Sequence, residues 1–449
     1  MLIRFIASNF RSLKEEVEFN MLTGAFKTHA HHVYKAGKVE VLRAAAIYGA
    51  NGAGKSNLVK AIAFLRALVD EGKIDQSVSR EKFKLDAKCE QKPIEFEIEF
   101  FKNKKIYKYG VSLDQTTVVE EWLYESGITK DDKLIFERKS HKGQRPTIRM
   151  ADKYSKTAKA KLLIELMQDN LLKNNQLLLG KNEELKIAEI DDIRECIVSD
   201  LFIINPDETL IRSLPRLLSL FTDFKNLANH LLPSLDTGIK EITTESIDLE
   251  VFFGKDDKEF VKDILEELES ESEVSRITSQ GEIWVTKEDG KVVVKKAITQ
   301  HRGIEDDPVT FELSEESDGT RRLVDYIPVV DLILNYPTTV IIDEIDRSLH
   351  PHLVKTLLQK LMSDPEAQGQ LIFTTHESNL LDLNLFRQDE IWFAEKESTS
   401  GSTHFYSLSD FKPRYDLDIR KGYLNGRFGA IPFLAPLENL NWHQHAEAE

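Results

Sequence analysis

Gly49-Ala50-Asn51-Gly52-Ala53-Gly54-Lys55-Ser56 fits the spacing G-x-x-x-x-G-K-[ST], and its two flanks decide how the chain is read. Upstream, VLRAAAIYG (41–49) is an apolar strand; downstream, the periodicity predicts an amphipathic helix from Asn57 to about Asp70. Between a strand and a helix, glycines let consecutive backbone N–H groups curl around phosphate oxygens. The helix N-terminus adds the positive end of a dipole. In that setting the Lys55 ammonium reaches the β and γ phosphates and acts in catalysis, and the Ser56 hydroxyl is a Mg²⁺ ligand. The expected nucleotide contacts are Gly49, Asn51, Gly52, Ala53, Gly54, Lys55, Ser56 and Asn57.

The complementary chemistry lies far along the chain. Thr339-Val340-Ile341-Ile342-Asp343-Glu344 reads as a central parallel strand buried on both faces, because its β-branched residues run without alternation. Carboxylates at the C-terminal end of such a strand stand where ligands bind in open α/β sheets. Asp343 is the expected metal-shell residue, and Glu344 the group that orients or deprotonates an attacking water. An acidic strand end capped by the following loop is the bland reading, and the phosphate loop weighs against it.

Two further stretches choose among P-loop classes. Leu313-Ser314-Glu315-Glu316-Ser317-Asp318-Gly319-Thr320-Arg321-Arg322 precedes a helix expected at 320–335. After the Asp-Glu strand come Asp346-Arg347-Ser348-Leu349-His350-Pro351, a helix at 350–362, and a strand ending Phe373-Thr374-Thr375-His376. This order resembles the ABC ATPase class: phosphate loop, signature, acidic strand, D-loop, switch histidine. The resemblance implies that Ser317 and Gly319 clamp the γ-phosphate held by a second copy, and that His376 contacts it as a catalytic residue. Asp318 departs from the usual Gly-Gly of the signature. The AAA+ class expects its Asp-Glu strand much nearer the phosphate loop, whereas 288 residues separate Lys55 from Asp343.

Phe10-Arg11-Ser12, with the G-x-N-G-x-G-K-S-N loop and Asp343-Glu344-Ile345-Asp346, resembles the SMC and RecF branch of that class. The matching arginine there reaches the nucleotide, which makes Arg11 a candidate contact. Gln115 and Gln176 are both candidates for the branch's Q-loop glutamine. Longer stretches (RAAAIYGANGAGKSNLVKAI, Phe311–Leu323, IIDEIDRSLHP, TTHESNLLD and YLNGRFGAIPF) resemble the stand-alone ATPases of prokaryotic anti-phage operons, such as those of the PARIS, RloA and AbiL systems. The likeness covers about half the chain. It implies an ATP- and Mg²⁺-dependent switch that pairs with its own copies and controls a separately encoded nuclease or toxin. Relatives of the OLD type carry a Toprim nuclease. Asp416-Leu417-Asp418 is present here, but the 73 residues after His376 must also finish the ATPase lobe, so no Toprim domain is expected at ordinary domain size.

The fold class expected is α/β, a P-loop NTPase of ABC/SMC-like type split by an insertion of helices and strands. Residues 1–124 and 311–449 form the ATPase lobe, and 125–310 the insertion. LIRFIAS (2–8) and VEFNML (17–22) read as strands, 94–124 as an antiparallel meander, and 152–200 as helical. Short strands around an acidic helix are expected over 241–313, with Glu288-Asp289-Gly290 as a hairpin turn and 389–408 as a terminal hairpin. Asp416 and Asp418 are read as caps of the helix before Gly422.

The whole chain has 449 residues and a net charge of −16, which argues against non-specific coating of nucleic acid. That charge is uneven: residues 138–161 carry nine basic side chains and one acid, whereas 248–273 carry eleven acids and three lysines. A solvated face is the bland reading of each run, and a docking surface for phosphate or a partner the sharper one. Tyr154 is the single aromatic within the basic run, so stacking on single strands is not supported. Cys89 and Cys196 lack disulfide or zinc spacing. His29, His31 and His32 lack a second ligand pair nearby and read as a strand-edge loop. Without a signal-peptide core or an apolar run of about 18 residues, a cytoplasmic protein with no membrane partner is expected. The alternative function is a RecF-like repair ATPase, with DNA contacts at Arg138, Lys139, Lys142 and Arg145. A scaffold that binds ATP without hydrolysing it is disfavoured by the presence of both Asp343 and Glu344.

Overall fold

The computed structural model describes residues 1–127, 131–140, 144–206, 214–254, 257–278, 281–414 and 417–431. The chain divides into two compact units, Met1–Leu201 with Ile372–Glu449, and Phe202–Leu371. Among the described residues no helix is long and apolar enough to cross a membrane.

The first unit contains an antiparallel sheet of seven strands, in the order Thr147–Met150, Lys133–Lys139, Thr117–Glu125, Lys105–Asp114, Ile94–Lys102, Leu2–Ser8 and Val17–Asn20. The meander expected over 94–124 is its centre. Alternation puts Ile94, Phe96, Ile98 and Phe100 on the buried face and glutamates between them. Against that face lies the helix Lys55–Glu71, whose buried residues Leu58, Val59, Ala61, Ile62, Leu65, Leu68 and Val69 follow helical spacing. Phe64 of this helix stands 5.6 Å from Phe10 and 5.9 Å from Phe96, ring centre to ring centre. Gly72 ends the helix in the left-handed region and donates to the Leu68 carbonyl.

A second group of strands in this unit carries the phosphate loop. Ala44–Tyr48 is buried at every position. It pairs in parallel with Ile391–Lys396, which pairs antiparallel with Thr403–Ser407, the expected terminal hairpin. On its other side runs the strand ending at Thr374, and Thr375 N donates to Ile47 O at 3.1 Å.

The stretch 152–200 is helical as expected, but as short pieces rather than long rods. Asp152–Ser155, Ala158–Leu166 and Ala188–Arg194 are separated by turns and π-turns. The apolar NQLLL segment is mostly irregular, for a reason that lies elsewhere in the fold. The buried Glu121 carboxylate accepts from the backbone N–H of Leu178 at 2.6 Å and of Leu179 at 2.9 Å. Those N–H groups need no helical partner.

In the second unit, Ile239–Asp248, Lys291–Arg302, Gly281–Glu288 and Glu273–Thr278 form a sheet in that order, with Pro308–Glu312 also paired to Lys291–Arg302. The hairpin turn is at the expected place, and Asp289 and Gly290 both have positive φ, as a type I′ turn requires. Leu249, Ile264 and Leu268 of the acidic helices pack on Val274, Ile283, Val285 and Val294 of the sheet. Thr339–Ile342 is buried throughout, and Pro351–Met362 follows with Pro351 at the first helical position.

The basic run is divided in the structure: part of it is taken up within the fold, whereas Lys156, Lys159 and Lys161 are exposed. Arg138 is fully buried opposite Glu121 on the neighbouring strand, and it donates to the carbonyls of Lys173 and Asn174. Lys139, Arg145, Arg149 and Lys153 meet Glu120, Asp169, Glu137 and Glu189. Lys142 and Asp416 lie outside the described residues. Asp418 caps the helix Ile419–Leu424, which contains Gly422 rather than preceding it.

Candidate functional site

The first unit presents a preformed loop at the mouth of the Ala44–Tyr48 strand. The helix begins at Lys55, two residues earlier than its periodicity suggested, because Gly54 is its N-cap, at φ 106°, and no side chain caps the first turn. A Cβ on Gly54 would run into the Thr403 side chain, and one on Gly49 into the Ala394 carbonyl, so close backbone approach fixes glycine at both places. Gly52 has φ 75° with open space around it, while Asn51 and Gly52 are exposed and Ala53 is buried. The helix start thus carries no side-chain cap, an arrangement in which a helix N-terminus can accept an anion.

Lys55 is 4% exposed, and its ammonium is held inside the loop. Nζ donates to Gly49 O at 2.7 Å and Ala50 O at 3.3 Å, and lies 3.4 Å from His376 Nδ1. The fold thus brings together two expected catalytic groups from positions 321 residues apart. Ser56 and Asn57 are half-buried on the first turn. Asn57 Nδ2 donates to Ser12 Oγ at 2.7 Å, next to the expected contact Arg11. Arg11 has φ 51° and pairs with Glu81 at 2.5 Å.

A cleft of about 450 Å³ opens beside Ser12 and Asn57, and Arg11, Arg80, Lys82, Lys84 and Lys396 line it together with Glu81. Lys82 is paired with Asp114 at 2.6 Å and Arg11 with Glu81, so Arg80, Lys84 and Lys396 supply the positive excess that suits an anionic ligand. One residue that sequence reasoning did not single out, Thr403, holds this corner. Thr403 Oγ1 donates to Ala53 O at 2.9 Å and sits 2.8 Å from Ser12 Oγ. Thr403 N donates to Ser12 O at 2.8 Å. No local pattern marks Thr403, whose role comes from a strand pairing formed 350 residues after the loop.

Gln115 occupies a hairpin turn at φ 50°, and the Gln176 amide oxygen accepts from Lys173 N at 3.1 Å.

The second unit holds the remaining expected residues. Asp343 is 2% exposed at the end of Thr339–Ile342, and its N–H donates to Ile204 O at 2.9 Å. Glu344 follows at φ 57°, a left-handed backbone for a residue with no conformational reason to adopt it. Ser317 is the exposed N-cap of the helix Asp318–Asn335 and accepts from Thr320 N at 3.1 Å. Gly319 approaches the D-loop so closely that a Cβ would stand 3.0 Å from Ser348 O. Farther along this helix, Tyr326 Oη donates to Ile345 O at 2.9 Å, fixing helix and D-loop to one another. Just before Ser317, Glu316 Oε1 accepts from Thr299 Oγ1 at 2.5 Å and lies 2.7 Å from His301 Nε2. That support was also invisible in the sequence.

Against solved structures, the chain is similar to the SMC head domain from Thermotoga maritima, at 12% identity and a TM-score of 0.41 over 90% of this chain and 98% of that one. It is also similar to an SMC head bound to the C-winged helix domain of ScpA, at 14% identity and a TM-score of 0.48 over 92% and 99%. An SMC head with an extended coiled coil, bound to the C-terminal domain of ScpA from Pyrococcus furiosus, gives 15% identity and a TM-score of 0.39 over 92% and 97%. No curated protein matches the chain. The fold is the expected α/β P-loop NTPase of ABC/SMC-like type. Residues 44–382, from the strand before the phosphate loop to just past His376, match one family, and the chain belongs to it: "AAA domain, putative AbiEii toxin, Type IV TA system".

Proposed function

We propose that this protein is an ATPase that works as a nucleotide-gated switch in prokaryotic anti-phage defence, of the kind exemplified by the PARIS, RloA and AbiL systems, and controls a separately encoded effector. The observation that carries the reading is the phosphate loop, with Lys55 already held at 2.7–3.4 Å between loop carbonyls and His376. An arriving γ-phosphate would replace those carbonyls as the partner of the ammonium, a charge-assisted contact stronger than the neutral ones it displaces. Gly49 to Asn57 would line the phosphates and Arg11 would add a second cation. The cationic cleft beside Asn57 would add positive charge next to the phosphates.

Ser56 and Asp343 would supply hydroxyl and carboxylate oxygens to Mg²⁺, the donor type that a hard cation takes. Bound Mg²⁺ supplies neutralisation of charge on the β and γ phosphates. Glu344 would orient the attacking water and accept its proton, and His376 would steady the γ-phosphate. Ser317 and Gly319 of a second copy would complete the site, so that ATP joins two chains and hydrolysis releases them. The repair-type alternative drew on the basic run; Arg138 is buried there, and four neighbours are already matched by carboxylates.

The test is oligomeric size by light scattering with ATP and Mg²⁺. Glu344→Gln is expected to accumulate as an ATP-bound dimer or larger assembly, and Lys55→Ala to remain as it is without nucleotide. Equal size for the two variants overturns the sandwich.

A further inference from the structure

His29, His31 and His32 each offer one ligand nitrogen, and these nitrogens all lie within 4.8 Å of one another. Two of the rings are also steadied from behind. His29 Nε2 stands 2.9 Å from the Leu383 carbonyl, which only accepts, so Nε2 carries the proton and Nδ1 the lone pair. His32 Nδ1 faces both oxygens of Glu390 at 3.0 Å. Imidazoles that bind a metal through one nitrogen donate the other N–H to a carboxylate or a backbone carbonyl. His29 and His32 have one such partner each, brought from more than 350 residues away.

We propose that His29, His31 and His32 form a binding site for one divalent late first-row cation, Zn²⁺ being the ion whose chemistry suits three imidazoles and an open fourth position. A cation on His32 Nε2 would leave Nδ1–H to donate to the Glu390 carboxyl group. Of the two nearby guanidinium groups, Arg387 is paired with Asp389 through two bonds, at 2.9 and 2.8 Å, while Arg43 donates to the neutral His31 O at 3.0 Å and keeps its charge. Loading requires the rings to turn. A tetrahedral ion with bonds of about 2.0–2.1 Å draws its ligand nitrogens to about 3.3 Å apart. The His29 and His32 rings, stacked with centres 4.9 Å apart, must open toward the ion. His31 is exposed and stands edge-on to both, so it can swing in, and the fourth position then faces water. The cation would fasten residues 29–32 to the segment 383–390, which follows His376 along the chain.

The experiment uses the full-length chain without a histidine tag, freed of metal with chelator and kept in excess Mg²⁺. Zn²⁺ is titrated by calorimetry, and Co²⁺ by its visible absorption. One Zn²⁺ per chain and a tetrahedral Co²⁺ spectrum are expected. His31→Ala should weaken Zn²⁺ binding at least 10-fold while leaving the melting temperature of the metal-free chain in place, since that side chain is exposed. Glu390→Gln should weaken it by about 10–100-fold; if that variant fails to fold, His31→Ala decides alone. Lys55→Ala should bind Zn²⁺ as the unaltered chain does, which separates this site from the nucleotide site. Absence of stoichiometric Zn²⁺, or equal affinity in the unaltered chain and His31→Ala, overturns the proposal.

Discussion

Glu344 combines an assigned chemical task with an unfavourable backbone. Its φ of 57° costs about 1–3 kcal/mol for a residue that is not glycine. Strain of this kind persists where the surrounding structure over-determines a position, and here it aims a carboxylate at the end of a buried strand. The two contributions are separable. Glu344→Gln keeps the backbone and removes the charge, so turnover should fall by 100-fold or more with little change in melting temperature. Glu344→Gly relieves the strain as well, and should melt about 1–3 °C higher while being equally inactive. A Gly variant that melts lower than Gln would show that the side chain, rather than the loop, holds the left-handed turn. Asp325, eight residues after Ser317, gives a pH-dependent counterpart. Burial pushes its carboxyl up to about 6 from 3.8, and Arg322 and Arg321 offset part of that. A carboxyl raised on folding stabilises the protein below its unfolded value, and that contribution is lost as pH rises through about 6. Asp325→Asn should therefore melt higher than the parent at pH 7.5, by the equivalent of about 1–3 kcal/mol, and little differently at pH 4. Thermal melts at the two pH values check this, and an equal difference at both would remove ionisation as the cause.

Among the elements, the signature helix is positioned by its neighbour before it is capped by its own Ser317. Glu316 is tied to Thr299 and His301 on the strand Lys291–Arg302, and the His301 ring packs 4.8 Å from Phe311. Glu316→Ala should let Ser317 wander. Because the signature is assigned to the assembled state, kcat should drop about 10-fold with KM for ATP nearly unchanged, and Glu316→Gln should restore most of it. Steady-state kinetics with a melting curve for each variant give the answer, and a loss confined to stability would reduce Glu316 to a structural part. This arrangement also shows where legibility stops. The phosphate loop, the Asp-Glu strand and the Asp289-Gly290 turn could be read because each is a local pattern enforced by local chemistry: close backbone approach, burial on two faces, positive φ. The support for Ser12 by Thr403 and for His32 by Glu390 joins residues 391 and 358 positions apart, and a periodic reading has no access to such pairs. Glu121 is a similar case. A buried glutamate that caps Leu178 and Leu179 turned an expected helical stretch into irregular chain, and nothing near residue 178 announces it.

For the whole molecule, charge decides how assembly should respond to salt. Each chain carries −16, and four of the nine basic residues at 138–161 are matched by carboxylates on neighbouring elements. Two such chains repel at long range, so the proposed ATP-joined pair would form against its own field. The screening length falls from about 30 Å at 0.01 M salt to about 8 Å at 0.15 M, and the repulsion falls with it. Assembly on nucleic acid has the opposite sign, because phosphate contacts release counterions and weaken steeply as salt rises. Glu344→Gln with ATP should therefore assemble a few-fold more tightly at 0.2 M than at 0.02 M salt, as read by sedimentation at fixed protein concentration. The contacts at the nucleotide itself are short and partly buried, and salt screens them less than the net charges. Assembly that weakens steeply over the same range would point to a cationic surface outweighing the net charge. The cleft of Arg80, Lys82, Lys84 and Lys396 would then be the first place to neutralise, because it faces the same ligand side as Ser12 and Asn57.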